Sequence, residues 1–225
     1  MLAQALVIAG KDLEIEWRSR ATAVRVVPFA GVLVLLFAIA LDPDRGVLPR
    51  VAPGLFWLAV VLAGLLAIGR AVAVERDNDA GAGLVASGLD PAAMFLGKAA
   101  AIAVELLALE ALVAAAMAAL YDVGVAATDA WLLVATSALA TAGIAAAGTL
   151  YGAVAGGDRS HDSLLAVLLL PVLLPVVLAG TRLFEAATQG DAAGGDIAWL
   201  GLLAVFAALY GGVGALAFGP LLEEG

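Results

Sequence analysis

Five stretches of this chain carry no charge at all: Val26–Leu41, Val51–Gly69, Ala130–Gly157, Ser163–Thr181 and Ile197–Leu222. A sixth, Ala99–Tyr121, is broken only by Glu105 and Glu110. A helix that crosses the hydrocarbon core of a bilayer needs about 20 mostly apolar residues. The pattern therefore predicts an all-α, polytopic membrane protein with six spans, at about 26–41, 51–74, 99–121, 130–155, 163–182 and 197–219. They belong to one transmembrane domain covering 1–225, and they leave no room for a separate soluble domain.

Two polar stretches punctuate this plan. At helical spacing, Leu2, Leu6, Ala9, Leu13 and Trp17 fall on one side of the N-terminal segment, and Lys11, Glu14 and Arg18 on the other. Residues 1–25 thus predict an amphipathic helix lying at the membrane surface, with Trp17 and the basic residues at the lipid headgroups. The opening run has no basic residue before Lys11, so it does not read as a signal peptide. The second stretch, 75–97, separates spans two and three. It opens with Glu75, Arg76, Asp77 and Asp79, continues through Leu84, Val85, Ser87 and Leu89, and reaches Asp90-Pro91. Pro91 begins a short helical piece whose Met94 and Phe95 are expected at the interface.

Composition agrees with the pattern. Apolar residues make up 64% and charged ones 14% of the chain, against about 45–50% and 25% in soluble domains, and the mean hydropathy is +1.08. The net charge of −9 argues against a nucleic-acid partner. The acid excess lies mostly in loops, which suits either a high-salt environment or a compositional habit. The absence of cysteine removes disulfides, thiolate metal sites and thioether attachment of haem.

Lysine and arginine set the orientation. With the N-terminus inside, Lys11, Arg18, Arg20, Arg25, Arg70, Arg76, Lys98 and Arg159 lie on the inner side, and only Arg45, Arg50 and Arg182 on the outer. Both termini are expected in the cytoplasm, in a cell (plasma) membrane. Trp131 and Trp199 then mark outer ends of spans. The outer connections, Asp42–Arg50, Asp122–Asp129 and Arg182–Asp196, read as turns.

Polar residues within a bilayer are costly and ask for a role. Arg70 and Glu105 both sit roughly 8–10 Å into their helices from the inner face, so the antiparallel second and third spans can pair them. The pair reads either as an ion pair orienting the hairpin or as a polar hinge transmitting motion from the inner loop. Glu110 is about 140° round the helix from Glu105, nearer the midplane, and is expected to face the bundle interior. It is either structural or a substrate or proton site. Pro171 and Pro175 each remove a helical hydrogen bond and predict a bend in the fifth span, as plain geometry or as a pivot. Gly148, Gly152 and Gly156, and Gly211, Ala215 and Gly219, form small-residue ridges, read first as close packing within one subunit.

No catalytic constellation is present in the sequence. It lacks a G-x-x-x-x-G-K-[ST] loop, H-E-x-x-H and a G-x-S-x-G elbow, and its one histidine, His161, lies outside the spans. No catalytic, cofactor-binding or metal-ligating residue is expected, and ATP hydrolysis would belong to a separate subunit.

Six spans, an amphipathic N-terminal helix and one structured inner loop resemble the ABC-2-type permeases. More closely, the chain resembles the haem exporter protein B (CcmB) family of the cytochrome c maturation system. The resemblance is carried by three stretches: Lys11-Asp12-Leu13-Glu14-Ile15-Glu16-Trp17-Arg18; Val51-Ala52-Pro53-Gly54-Leu55-Phe56-Trp57, followed by Arg70 and Glu75–Asp79; and Leu170-Pro171-Val172-Leu173-Leu174-Pro175. Where the family usually has a leucine-rich, Ser-Pro-containing stretch, this chain has Leu84-Val85-Ala86-Ser87-Gly88-Leu89-Asp90-Pro91.

The resemblance implies a cytoplasmic coupling helix between spans two and three. It would dock an ABC ATPase subunit through Glu75, Arg76, Asp77, Leu84, Ser87, Leu89 and Pro91. It also implies ATP on the partner, other cytochrome c maturation membrane subunits, a homodimer within the complex, and either haem export or ATP-driven release of a haem-loaded chaperone. With no histidine in the spans, haem would be ligated by a partner. Two other readings stay open: an ABC-2 permease for a lipid, drug or polysaccharide, and a non-transporting scaffold.

Overall fold

The structure, a computed structural model, describes the chain except for residues 21, 42–45, 78–88, 122, 124–129, 156–161, 190–195 and 225. The described residues form helices and no strand. In order these are α1 (Leu2–Ser19), a π-helical turn (Thr22–Val26), α2 (Val27–Ala40), α3 (Leu48–Asp77), α4 (Pro91–Tyr121), α5 (Ala130–Ala155), α6 (Asp162–Gln189) and α7 (Asp196–Glu224). Six segments among them are long and apolar enough to cross a membrane: Thr22–Ala40, Leu48–Val74, Pro91–Tyr121, Ala130–Ala155, Leu165–Thr188 and Asp196–Leu221. The protein is a multi-pass membrane protein.

Composition decides which helices are central. α5 is built largely of Ala, Gly and Thr, and small side chains let helix backbones approach closely in lipid, where van der Waals contact drives association. It accordingly packs against α3, α4, α6 and α7. A Cβ added at Gly148 would stand 2.5 Å from Ile68 of α3, and one at Gly152 2.6 Å from Val72, one turn further along the same helix. The ridge is thus filled within the subunit at Gly148 and Gly152, while Gly156 lies outside the described residues. The ridge on α7 differs, since Gly211 has open space beside it and the tight contact is Gly214 against the Phe95 ring. The bulkiest side chains of the core come from other helices. Trp57 and Phe56 of α3 cluster with Phe184 of α6, at ring separations of 4.8–5.4 Å.

Two boundaries differ from expectation. α4 starts at Pro91, not at Ala99, so the piece expected as a separate interfacial helix is the first two turns of the third span. Asp90 caps it: its Oδ1 accepts from the N–H of Ala92 at 3.0 Å, and Pro91 at the first helical position forgoes no intrahelical bond. Met94 and Phe95 are correspondingly buried, with the Phe95 ring tilted against Phe218 of α7 at 5.7 Å. Likewise α6 continues about two turns past Arg182, into what the charges mark as a turn. Leu183, Phe184, Ala186 and Ala187 are buried there, and Arg182 pairs along the helix with Glu185.

At the other end of the hairpin, Tyr121 closes α4. Its hydroxyl donates to the Val34 carbonyl of α2 at 2.7 Å, and the side chain is fully enclosed. Removing that hydroxyl by Tyr121→Phe should lower stability by about 1 kcal/mol, the usual net worth of such a bond. Unfolding in mixed detergent micelles measures it, and no change would mean that the hydroxyl does not tie α4 to α2.

Candidate functional site

The polar residues that the spans carry are not scattered. Arg70, seven residues before the end of α3, and Glu105, in the middle of α4, stand 3.8 Å apart. A third helix joins them: the Arg70 Nη2 donates to Glu16 Oε2 of α1. The same nitrogen lies 3.1 Å from the Thr22 hydroxyl, which donates to Glu105 Oε2 at 3.4 Å. Glu16 Oε1 in turn accepts from the Thr22 backbone N–H at 2.6 Å. One guanidinium thus serves two carboxylates, with Thr22 bridging them, and all three charged side chains are only 12–13% exposed.

Local sequence explains why these groups meet. α1 turns a stripe of Ala5, Ile8 and Ala9 onto α4, close to Gly97, where an added Cβ would fall 2.7 Å from the Ala5 carbonyl. Extending that stripe by helical spacing reaches Asp12 and then Glu16. The apolar stripe expected to face the membrane is shared out accordingly. Ala9 packs on the protein, whereas Leu2, Leu6 and Trp17 are exposed, at 72–84%. The chain then leaves α1 through Arg20, a non-glycine residue at φ +50°, and re-enters a helix through the π-turn, which brings Thr22 beneath Glu16. Sequence reasoning missed Glu16 and Thr22. The signal was there, since Glu16 falls on the alanine stripe rather than on the face of Lys11, Glu14 and Arg18.

Glu110 is separate from this cluster. It is 3% exposed and turns toward α5, where the Thr141 hydroxyl donates to its Oε1. Pro171 and Pro175 lie on the outward face of α6, exposed along with Leu174 and Leu178. The helix runs unbroken through both, so neither ring wedges against another helix of this chain. Of the loop residues, Glu75, Arg76 and Asp77 form the last turn of α3, Leu89 precedes the Asp90 cap, and Pro91 opens α4. Leu84 and Ser87 lie outside the described residues, as does His161. Lys98, which reads in the sequence as a marker of the inner edge, is buried inside α4.

Among the described residues no group of three or more His, Cys, Asp or Glu is placed to hold a metal ion. The cluster ties α1, α3 and α4 together through charge.

Comparison with known proteins places this architecture. The chain is 28% identical over 202 residues to the Heme exporter protein B of Haemophilus influenzae, covering 89% of this chain and 90% of that protein. It is 26% identical over 200 residues to the Heme exporter protein B of Pseudomonas aeruginosa, covering 89% of each. The family model described as CcmB protein matches residues 3–219. The chain belongs to the CcmB family.

Proposed function

We propose that this protein is the membrane-spanning permease subunit of an ABC transporter complex that acts in haem delivery for cytochrome c maturation. The observation that carries the reading is the match of one family over nearly the whole chain, to relatives that share both its length and the name Heme exporter protein B. ATP is hydrolysed on a separate ATPase subunit. That subunit docks at the connection between α3 and α4, where Glu75, Arg76 and Asp77 supply charge. Orientation follows the lysine and arginine count, with both termini in the cytoplasm and the spans in the plasma membrane. A second copy of the chain and the other maturation subunits complete the assembly, and one of those subunits ligates the haem. The ATP-driven step either moves haem or releases a haem-loaded chaperone.

Deleting the gene and staining membranes for covalent haem tests the reading. c-type cytochromes should lose attached haem, and the wild-type gene should restore it. A gene carrying Glu75→Lys with Asp77→Lys should restore neither haem attachment nor co-purification of the ATPase. Normal cytochromes in the deletion strain would overturn the maturation role and shift the substrate to another class. Full co-purification with the reversed charges would remove the docking site from this loop.

A further inference from the structure

The Arg70 cluster has an unusual stoichiometry for a structural ion pair, because two carboxylates on different helices compete for one guanidinium. Glu16 arrives on α1, and Glu105 belongs to the same hairpin as Arg70. A buried ion pair is hard to open because separation strands an uncompensated charge. Here that obstacle is absent. If Glu16 withdraws, Glu105 already stands 3.8 Å from the guanidinium and can close on it.

Two further features make α1 the element that moves. Its buried residues, Ala5, Ile8 and Ala9, lie along α4, while Leu2, Leu6, Val7 and Trp17 remain outside, so α1 is held on one face only. Its junction with α2 combines a left-handed Arg20 with the π-turn Thr22–Val26. The left-handed region is strained for a non-glycine residue, and short π segments are frequent at functional sites.

We propose that Glu16, Arg70 and Glu105 form an exchange latch. Arg70 holds the N-terminal helix through Glu16, and Glu105 takes over the guanidinium when α1 swings away about Arg20 and the turn Thr22–Val26. The latch links the surface helix to the hairpin whose connection carries the docking charges. It stands on geometry alone, whichever substrate the complex serves.

The absence of native cysteine makes the test clean. A single cysteine at Ala9, buried against α4, reports undocking through its rate of reaction with a water-soluble maleimide in the intact complex in membranes. Glu16→Gln removes the docked-state partner and should speed labelling by about tenfold, the factor expected for one charge-assisted hydrogen bond. Glu105→Gln removes the partner of the undocked state and should slow labelling below that of the parent. A merely structural cluster predicts that both variants speed labelling, because each loosens the same network. That outcome, or an unchanged rate in Glu105→Gln, overturns the latch. A second reporter cysteine at Ala140, fully buried in α5, separates local undocking from loss of fold. If Glu16→Gln exposes Ala140, Glu16→Asp takes its place, with the same direction expected from its shorter reach.

Discussion

Replacing Arg70 by leucine should be among the most destabilising single changes in this protein, at about 3–5 kcal/mol. The figure is the usual cost of removing one partner from a buried ion pair. It applies here because Glu16 and Glu105 are 13% exposed and share the one guanidinium. Removing it leaves two like charges with only the Thr22 hydroxyl and backbone N–H between them. Arg70→Lys should recover only part of the loss. An ammonium keeps the charge but not the fork that spans two carboxylates. Unfolding in mixed micelles gives the size of the effect. The triple change Arg70→Leu, Glu16→Gln and Glu105→Gln supplies the control: with the stranded charges gone, most of the stability should return. Failure of that rescue would show that the guanidinium acts through packing rather than charge.

The spans were legible because a bilayer imposes a condition that a sequence cannot hide. About 20 residues in a row must tolerate hydrocarbon, and the uncharged runs meet it with little overlap or ambiguity. Their ends were less legible, since charge is a poor boundary marker once a side chain has a polar partner. Lys98 reads as the inner edge of a span, yet it lies buried two turns inside α4 with a polar interaction of its own. Arg182 reads as an outer edge but sits two turns inside the end of α6 with Glu185 beside it. In both places the helix continues because apolar neighbours find partners distant in sequence, Phe95 on Gly214 and Phe218 for one.

The Arg70 site was half legible for the same reason. Arg70 and Glu105 can be matched by depth within a single hairpin, which needs only the helix rise. Glu16 could not be matched that way, because its place depends on how the chain turns between α1 and α2. That turn is made by Arg20 in a conformation non-glycine residues rarely adopt, followed by a π-turn. Neither leaves a sequence signature. Periodicity assigned α1 one apolar stripe for the membrane, where the structure uses two: larger side chains outward, and Ala5, Ile8 and Ala9 inward.

Gly180→Ala should destabilise the protein by about 2–3 kcal/mol, in the range for overpacking a well-filled core, although alanine is the better helix former. In an open helix the same exchange gains about 0.5–1 kcal/mol, so the sign itself reports the packing. At Gly180 a Cβ would lie 2.4 Å from Trp57 Cε2 and 2.6 Å from its Nε1. The indole has nowhere to retreat. It is fully buried, with Phe56 edge-on at 5.4 Å and Phe184 at 5.2 Å, and moving it displaces the aromatic cluster that joins α3 to α6. Gly211→Ala is the matched control, because Gly211 lies within α7 and has nothing within 4 Å of an added Cβ. It should be neutral or stabilising. Opposite signs for the two exchanges, read as unfolding free energies in one micelle system, would place the α3–α6 contact at Trp57. Equal gains at both would mean that the indole does not pack on Gly180, and that this pair of helices is held by the aliphatic residues around it.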